Sequence, residues 1–387
     1  MADFNEILHR EGYDCAKWDG YKRIWGRDDL LPMWVADMDF RTPSFVKEEI
    51  DRFAESGVYG YTFRDERWYN AICGWYERRH SFKVTKEELI FIPGIVRGIA
   101  FAELCFTEPG DKIMVLSPVY HPFFLVSERN KRDVVYSPLL INKETRTFDI
   151  DFDRMAEDIK GCKMLVFCNP HNPGGRVWSK EELRKVAEIA YDNNCLVVSD
   201  EIHCDLTLPG YSHIPFASVS EKAASNSIMF GAPSKAFNMP GIVSSYAVVK
   251  NPELWKKFND FLTASEFNEG NMFAYNSCAA CYEKGEGWLN EMLEYINGNI
   301  DFLDEYLKKN IPGIGMLRPQ ASYLVYLDCR GLGLEQEDLV KLFVEKAHLA
   351  LNDGSMFGPG GKGFMRLNVG CPRSVLHKAL EQLKAAI

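Results

Sequence analysis

Between residues 85 and 250 the chain alternates two hydrophobic rhythms. The runs "ELIFIPG" (88–94), "KIMVLSP" (112–118), "KMLVFCNP" (163–170), "CLVVSDE" (195–201) and "SIMFGAPS" (227–234) are short, apolar and closed by turn or polar residues. They lack the in–out alternation of a half-solvated strand and predict strands buried on both faces. Between them, "IVRGIAFAELCF" (95–106), "YHPFFLVSERN" (120–130) and "SKEELRKVAEIAYDNN" (179–194) predict helices. Ser179 and Glu182 have the spacing of a capping box at the start of the last of these. Buried strands alternating with amphipathic helices predict an α/β fold, a mostly parallel sheet with helices on both faces.

After residue 250 the rhythm changes. Residues 252–309 read as largely helical, and "WLNEMLEYINGNIDFLDEYLKKN" (288–310) is one long stretch of that kind. The strands "SYLVYLD" (322–328) and "GFMRLNV" (363–369) alternate with the helices "QEDLVKLFVEKA" and "PRSVLHKALEQLKAAI". This predicts a second, smaller α+β domain. The expected division is an N-terminal segment, 1–40, packing on the small domain, a large domain over 41–284 and the small domain over 285–387.

Charge and cysteine usage narrow the partners. A net charge of −10, from 45 Lys and Arg against 55 Asp and Glu, argues against a nucleic-acid surface. The longest apolar runs, such as "IMVL" and "CLVV", are far shorter than the ~20 residues a membrane helix needs. The N-terminus is charged throughout, unlike a signal peptide. Eleven cysteines, an odd number, suggest reduced thiols and a cytoplasmic location. Cys278 and Cys281 have CxxC spacing, but no second pair completes a metal site and the surroundings read as helix, so core thiols are expected. No metal site is predicted.

In an open parallel sheet, ligands bind beyond the carboxyl ends of the strands. Gly94, Ile95 and Val96 follow the first strand at a helix N-terminus; "NPHNPGG" follows 163–168, Asp200 and Glu201 follow 195–199, and Ser234 and Lys235 follow 227–230. Lys235 is the one charge in "GAPSKAFNMPG" (231–241). A lysine held partly out of water, with a lowered pKa, is suited to Schiff-base chemistry. Pyridoxal phosphate requires such an amine for its aldehyde, a carboxylate for its pyridine nitrogen and backbone amides for its phosphate.

The blocks "NPHNPGG", "SDEIH" and "APSKAFNMPG" resemble those of the fold-type-I pyridoxal-phosphate enzymes, the aspartate-aminotransferase superfamily. Within it, "LPMWVADMDF" (31–40), "YGYT" (59–62), "PVYHPF" (118–123), "DEIHCDL" (200–206) and "RLNVGCPR" (366–373) are similar to the cystathionine β-lyase or cysteine-S-conjugate β-lyase group of the MalY/PatB type. The resemblance implies a seven-stranded, mostly parallel sheet, a smaller α+β domain and a homodimer with active sites at the subunit interface. Lys235 would carry the cofactor and remove the substrate α-proton. Asp200 would pair with the pyridine nitrogen, in preference to its neighbour Glu201. Asn172 would bond the phenolic oxygen, and His203 stands where many relatives have a tyrosine that also reaches it. Tyr120 would stack on the ring. Ile95 and Val96 would offer amides to the phosphate and Ser234 a hydroxyl. Many relatives have a second hydroxyl where this chain has Ala232, so one contact must come from elsewhere, and Tyr61 of a partner subunit is a candidate. Arg366 would grip the substrate carboxylate. The glycine-rich "GPGGKG" (358–363) lacks the P-loop spacing and is expected to be a flexible loop near the substrate entrance.

The implied reaction is α,β-elimination from cystathionine or a related cysteine S-conjugate, a small amino acid, to a thiol, pyruvate and ammonia. Tyr120 and Tyr61 are the candidates for protonating the leaving thiolate. Two alternatives stay open at this point: an amino-acid aminotransferase, and a regulatory, protein-binding role on the same fold.

Overall fold

The computed structural model describes residues 2–387. Its centre is an eight-stranded sheet built from β1 (Leu89–Ile92), β2 (Lys112–Ser117), β3 (Asp133–Asn142), β4 (Thr147–Ile150), β5 (Cys162–Cys168), β6 (Leu196–Asp200), β7 (Ser227–Gly231) and β8 (Ser245–Val248). The spatial order is β1-β8-β7-β6-β5-β2-β3-β4. Strands β7, β6, β5, β2 and β3 pair in parallel, while β8 lies antiparallel between β1 and β7. The eighth strand, β4, closes a hairpin on β3 at one edge and extends the expected seven-stranded sheet by one.

The apolar strands are buried on both faces, as their lack of alternation predicts. Every residue of β1, β6, β7 and β8 is buried. Helices cover both sides, and two of the core's hydrophobic clusters divide the sheet residues between them by parity. Val197 and Met229 belong to one; Leu196, Val198, Ile228 and Phe230 belong to the other. The capping box at Ser179 and Glu182 is present at the start of the helix Lys180–Asp192.

A second sheet is formed by β9 (Gly315–Leu317), β10 (Leu324–Asp328), β11 (Asn352–Asp353) and β12 (Phe364–Asn368), in the order β9-β10-β12-β11 and antiparallel throughout. The helices Glu286–Asn310 and Arg373–Ala386 accompany it. The run "QEDLVKLFVEKA" is α-helical only over Gln336–Lys341 and widens into a π turn over Leu342–Lys346. The N-terminal residues lie against this part of the chain. Leu31 and Pro32 pair in parallel with Leu349 and Ala350, and Phe4 packs edge-on against Trp288, with ring centroids 5.7 Å apart. Among the described residues, no helix is long and apolar enough to cross a membrane.

Candidate active site

The carboxyl ends of β1, β5, β6 and β7 open on a cavity of about 380 Å³. Its lining includes Ile95, Val96, Tyr120, Asn172, Asp200, His203, Ser234 and Lys235. Eight residues separated by up to 140 positions of sequence thus meet in one cavity. Arg366 stands directly behind it, with its Nη1 donating to Asn172 Oδ1 at 3.1 Å. Of the residues singled out from the sequence, only Tyr61 lies elsewhere in the subunit. It is fully exposed, in a segment where Val58, Tyr59 and Phe63 are exposed as well.

Asp200 closes β6 and is 4% exposed. One carboxylate oxygen accepts the backbone N–H of Ile202 at 3.0 Å, and among the described residues no cationic side chain forms an ion pair with it. Burial pushes its pKa up to about 7; the Ile202 amide pulls it down, Glu201 adds to the rise and Lys235 offsets part of it. Glu201 is committed elsewhere. It accepts from His213 Nε2 at 2.8 Å, Ser199 Oγ at 2.9 Å and the Phe216 amide at 2.9 Å. Of the two adjacent carboxylates, Asp200 is the one facing the cavity.

Lys235 follows β7 and is half-buried. Its Nζ donates to the Ala36 carbonyl at 2.7 Å, which also accepts from the Tyr323 hydroxyl at 3.1 Å. Desolvation lowers its pKa to about 8; Asp37 and Asp200 oppose that shift and Arg366 adds to it. About a tenth of it is therefore free amine at pH 7, far more than an ordinary lysine provides. His203 is buried, and its Nδ1 has no hydrogen-bond partner. Burial, followed by Lys235 and Arg366, lowers its pKa to about 3, so the ring is neutral. Its neighbour Cys204 belongs instead to a group with His80 and Asp205, in which His80 Nε2 contacts Asp205 Oδ1 at 2.9 Å.

Arg366 lies in the middle of β12 and is 3% exposed. Besides Asn172, it donates to Asn352 Oδ1 at 2.6 Å and to the Trp34 carbonyl at 3.1 Å. Its guanidinium carbon sits 4.9 Å from the Phe357 ring centroid, and its Nε is buried without a partner. Burial lowers its pKa to about 10, against the stabilising fields of Tyr120, Tyr323 and Tyr326. It remains a cation at neutral pH and is pre-set for a planar anion.

Gly94 precedes the helix Ile95–Phe106 with φ of 109°, a conformation that favours glycine. It lets the chain turn so that the first free amides of the helix border the cavity, the usual site for a phosphate-like anion. Arg97 and Ser245 also line the cavity, and sequence reasoning missed both. They add a cationic and a hydroxyl group to the lining, where Ala232 offers neither. Sequence reasoning also missed Ala36, Asn352 and Tyr323. Ala36 contributes only a backbone oxygen, so no side-chain motif announces it.

The donor set suits a flat heterocycle with a protonatable nitrogen, a carbonyl carbon and an anionic arm. A buried carboxylate without a cation, a partnerless imidazole nitrogen, a free amine and a helix N-terminus border one cavity.

The family model described as aminotransferase class I and II matches residues 31–383. Cystathionine beta-lyase PatB of Bacillus subtilis is 39% identical, with both chains covered in full. Cystalysin from Treponema denticola, solved with pyridoxal 5'-phosphate, superposes with a TM-score of 0.96 at 32% identity over 100% of this chain and 98% of that one. A pyridoxal-phosphate-bound C–S lyase from Staphylococcus hominis, complexed with L-cycloserine, gives 0.92 at 34% identity over 99% and 98%.

Proposed function

Because this chain belongs to the aminotransferase class I and II family, we propose that it is a pyridoxal-phosphate-dependent carbon–sulfur β-lyase. It acts on cystathionine or a related cysteine S-conjugate and releases a thiol, pyruvate and ammonia. The relatives named as cystathionine β-lyase and C–S lyase support the reaction. The observation that carries the cofactor is the placing of Asp200 and Lys235 on adjacent strand ends of one cavity, the carboxylate without a cation and the amine with a lowered pKa.

Lys235 would hold pyridoxal phosphate through its amine, Asp200 would face the pyridine nitrogen, and Asn172 and His203 would face the phenolic oxygen. Tyr120 would cover the ring, and the amides of Ile95 and Val96 with Ser234 would take the phosphate. When bound, the cofactor supplies an electron sink for the carbanion left by loss of an amino acid's α-proton. The Asp200 carboxylate makes that sink effective by favouring a protonated heterocycle. Arg366 takes the substrate carboxylate through a planar two-pronged contact, which fixes the α-carbon. Lys235, with a pKa of about 8, accepts the α-proton at Nζ. A thiolate with a parent thiol pKa of roughly 8.5 departs without obligatory protonation, so Tyr120 assists rather than decides.

A homodimer accounts for the exposed aromatic segment Val58–Phe63, whose apolar side chains are otherwise left in water. In that assembly Tyr61 reaches the partner's phosphate site. The smaller unit spans 285–387, with residues 1–40 packed on it, and the enzyme works in the cytoplasm.

The test is pyruvate release from cystathionine with no keto acid present. Steady release supports the lyase. Strict dependence on a keto-acid acceptor would reassign the chain to transamination.

A further inference from the structure

Residues 34–38 pass the cavity at Ala36, and two of their backbone oxygens meet site residues. The Trp34 carbonyl meets Arg366 at 3.1 Å and the Ala36 carbonyl meets Lys235 at 2.7 Å. Two side-chain amides hold the same segment. Asn368 Nδ2 donates to the Val35 and Asp37 carbonyls, each at 2.7 Å. Asn238 receives the Met38 N–H at 2.8 Å and donates to the Met38 carbonyl at 2.9 Å.

The segment is also held by charge. Arg10 grips Asp37 in a two-pronged pair, Nη2 to Oδ2 at 2.7 Å and Nη1 to Oδ1 at 3.1 Å, and its Nη1 also reaches Asp39 Oδ1 at 2.6 Å. Lys17 Nζ lies 2.6 Å from Asp39 Oδ2 and 3.9 Å from Asp37 Oδ1. Trp18 Nε1 donates to Asp39 Oδ1 at 2.8 Å. Lys17 is 1% exposed and Asp39 5%. Two cations and two carboxylates balance to zero in a place where an uncompensated charge would be costly. All four come from residues 10–39, far in sequence from the strand-end motifs. The sheet that positions the cofactor-side groups therefore leaves the Ala36 oxygen to another device.

We propose that Arg10, Lys17, Asp37 and Asp39 form a positioning network, which clamps residues 34–38 so that the Ala36 carbonyl orients the Lys235 amine and the Trp34 carbonyl orients Arg366. This rests on the reading of Lys235 as the proton acceptor. The groups facing Lys235 are Asp37 from the clamped segment, Asp200 from β6, Arg366 from β12, His203 from the loop after β6 and Tyr323 from the turn before β10. Asp37 is the first of these to act on the amine after burial itself, and it acts to raise its pKa. Arg10 and Lys17 temper that carboxylate. Removing a tempering cation and removing the carboxylate must then move the amine in opposite directions. A merely structural network has no reason to produce opposite signs.

The experiment measures the Lys235 pKa directly in the full chain stripped of cofactor. Competitive acetylation with acetic anhydride across pH is read by mass spectrometry at the peptide carrying Lys235. Arg10→Met is expected to raise the pKa and Asp37→Asn to lower it, each by about half a unit. Arg10→Lys is expected to return it to the wild-type value. In the cofactor-loaded enzyme, the acid limb of the kcat profile should follow the same signs, with KM changing less than kcat. Shifts of the same sign, or no shift in either variant, would overturn the proposal. If Arg10→Met does not fold, Arg10→Gln takes its place, and the same opposite signs are required. A wild type that acquires no visible band with pyridoxal phosphate would sink the cofactor reading, while the acetylation result would still judge the network.

Discussion

Asn352 tests how much of the substrate affinity depends on the groups behind Arg366. Its Oδ1 accepts from Arg366 Nη2 at 2.6 Å, shorter than the contacts to Asn172 and Trp34, both at 3.1 Å. Asn352 is 7% exposed and Arg366 3%, so water does not readily replace the lost acceptor. A hydrogen bond to a buried charged group contributes about 1.5–3 kcal/mol. Asn352→Ala removes that amount and leaves Nη2 with only the longer contact to the Trp34 carbonyl, beside an Nε that already lacks a partner. The guanidinium pKa, about 10 in the wild type, falls further, yet the group stays mostly cationic at pH 7.5. The cost therefore falls on orientation of the fork toward the substrate carboxylate, and kcat/KM should drop by roughly 10- to 150-fold at that energy. Because Asn352 does not border the cofactor cavity, the visible band and its pyridoxal-phosphate titration should be unchanged. The assay is pyruvate release against cystathionine concentration, paired with that titration. An unchanged kcat/KM with weakened cofactor uptake would refute the assignment of Arg366 to the substrate side.

Two further outcomes follow from other parts of the molecule. If Tyr61 serves the partner's site, mixing and refolding Tyr61→Ala with Lys235→Ala should recover activity approaching about a quarter of wild type, through hybrid dimers carrying one intact site; no recovery in dimers shown to have exchanged would exclude the crossing. Glu103 is fully buried, accepts from Ser127 Oγ at 2.6 Å and leaves Oε2 without a partner; burial raises its pKa to about 7. A carboxyl raised in the folded state holds its proton there while the unfolded chain releases it, so its stabilising contribution is complete below about 4.5 and is lost as pH rises through 7. Glu103→Gln should therefore unfold later than wild type at pH 8, by up to roughly 3 kcal/mol, with the advantage vanishing near pH 4.5; thermal melts at both pH values measure it, and an equal difference at each would contradict the reasoning.

The fold was legible where burial on both faces leaves an unbroken apolar run. Strands β1, β2, β5, β6 and β7 have that character, and each lies within a residue or two of its expected place. Strands β3 and β4 were missed because a partly exposed hairpin at the sheet edge carries a mixed pattern, with Pro138 inside "DVVYSPLLIN". Strand β8 is only four residues long and follows a loop rich in Pro and Gly. The π turn at Leu342–Lys346 breaks a run whose apolar spacing reads as continuous helix. In the site, residues that act through side chains at strand ends were legible, because each requirement of the chemistry names a residue type. Ala36 and Trp34 act through carbonyl oxygens, which every residue possesses. Asn352 acts through another side chain, and Arg97 is the third residue of a helix whose first two alone drew notice.

These two kinds of residue also divide the work. The groups assigned to the cofactor hang from the carboxyl ends of one sheet whose strands are packed on both faces, so their spacing is fixed by the core. The groups assigned to the substrate, Arg366 with Asn352 and the carbonyls of residues 34–38, belong to the second sheet and to a segment clamped by side-chain charges. Adjusting Arg366 or Asn352 changes how the substrate carboxylate is held without moving the strand ends that carry the first set. A family that retains one cofactor site while its members differ in reaction is expected from that separation. The same separation makes variants of Asn352 informative, because their effects should appear in kcat/KM while cofactor uptake stays level.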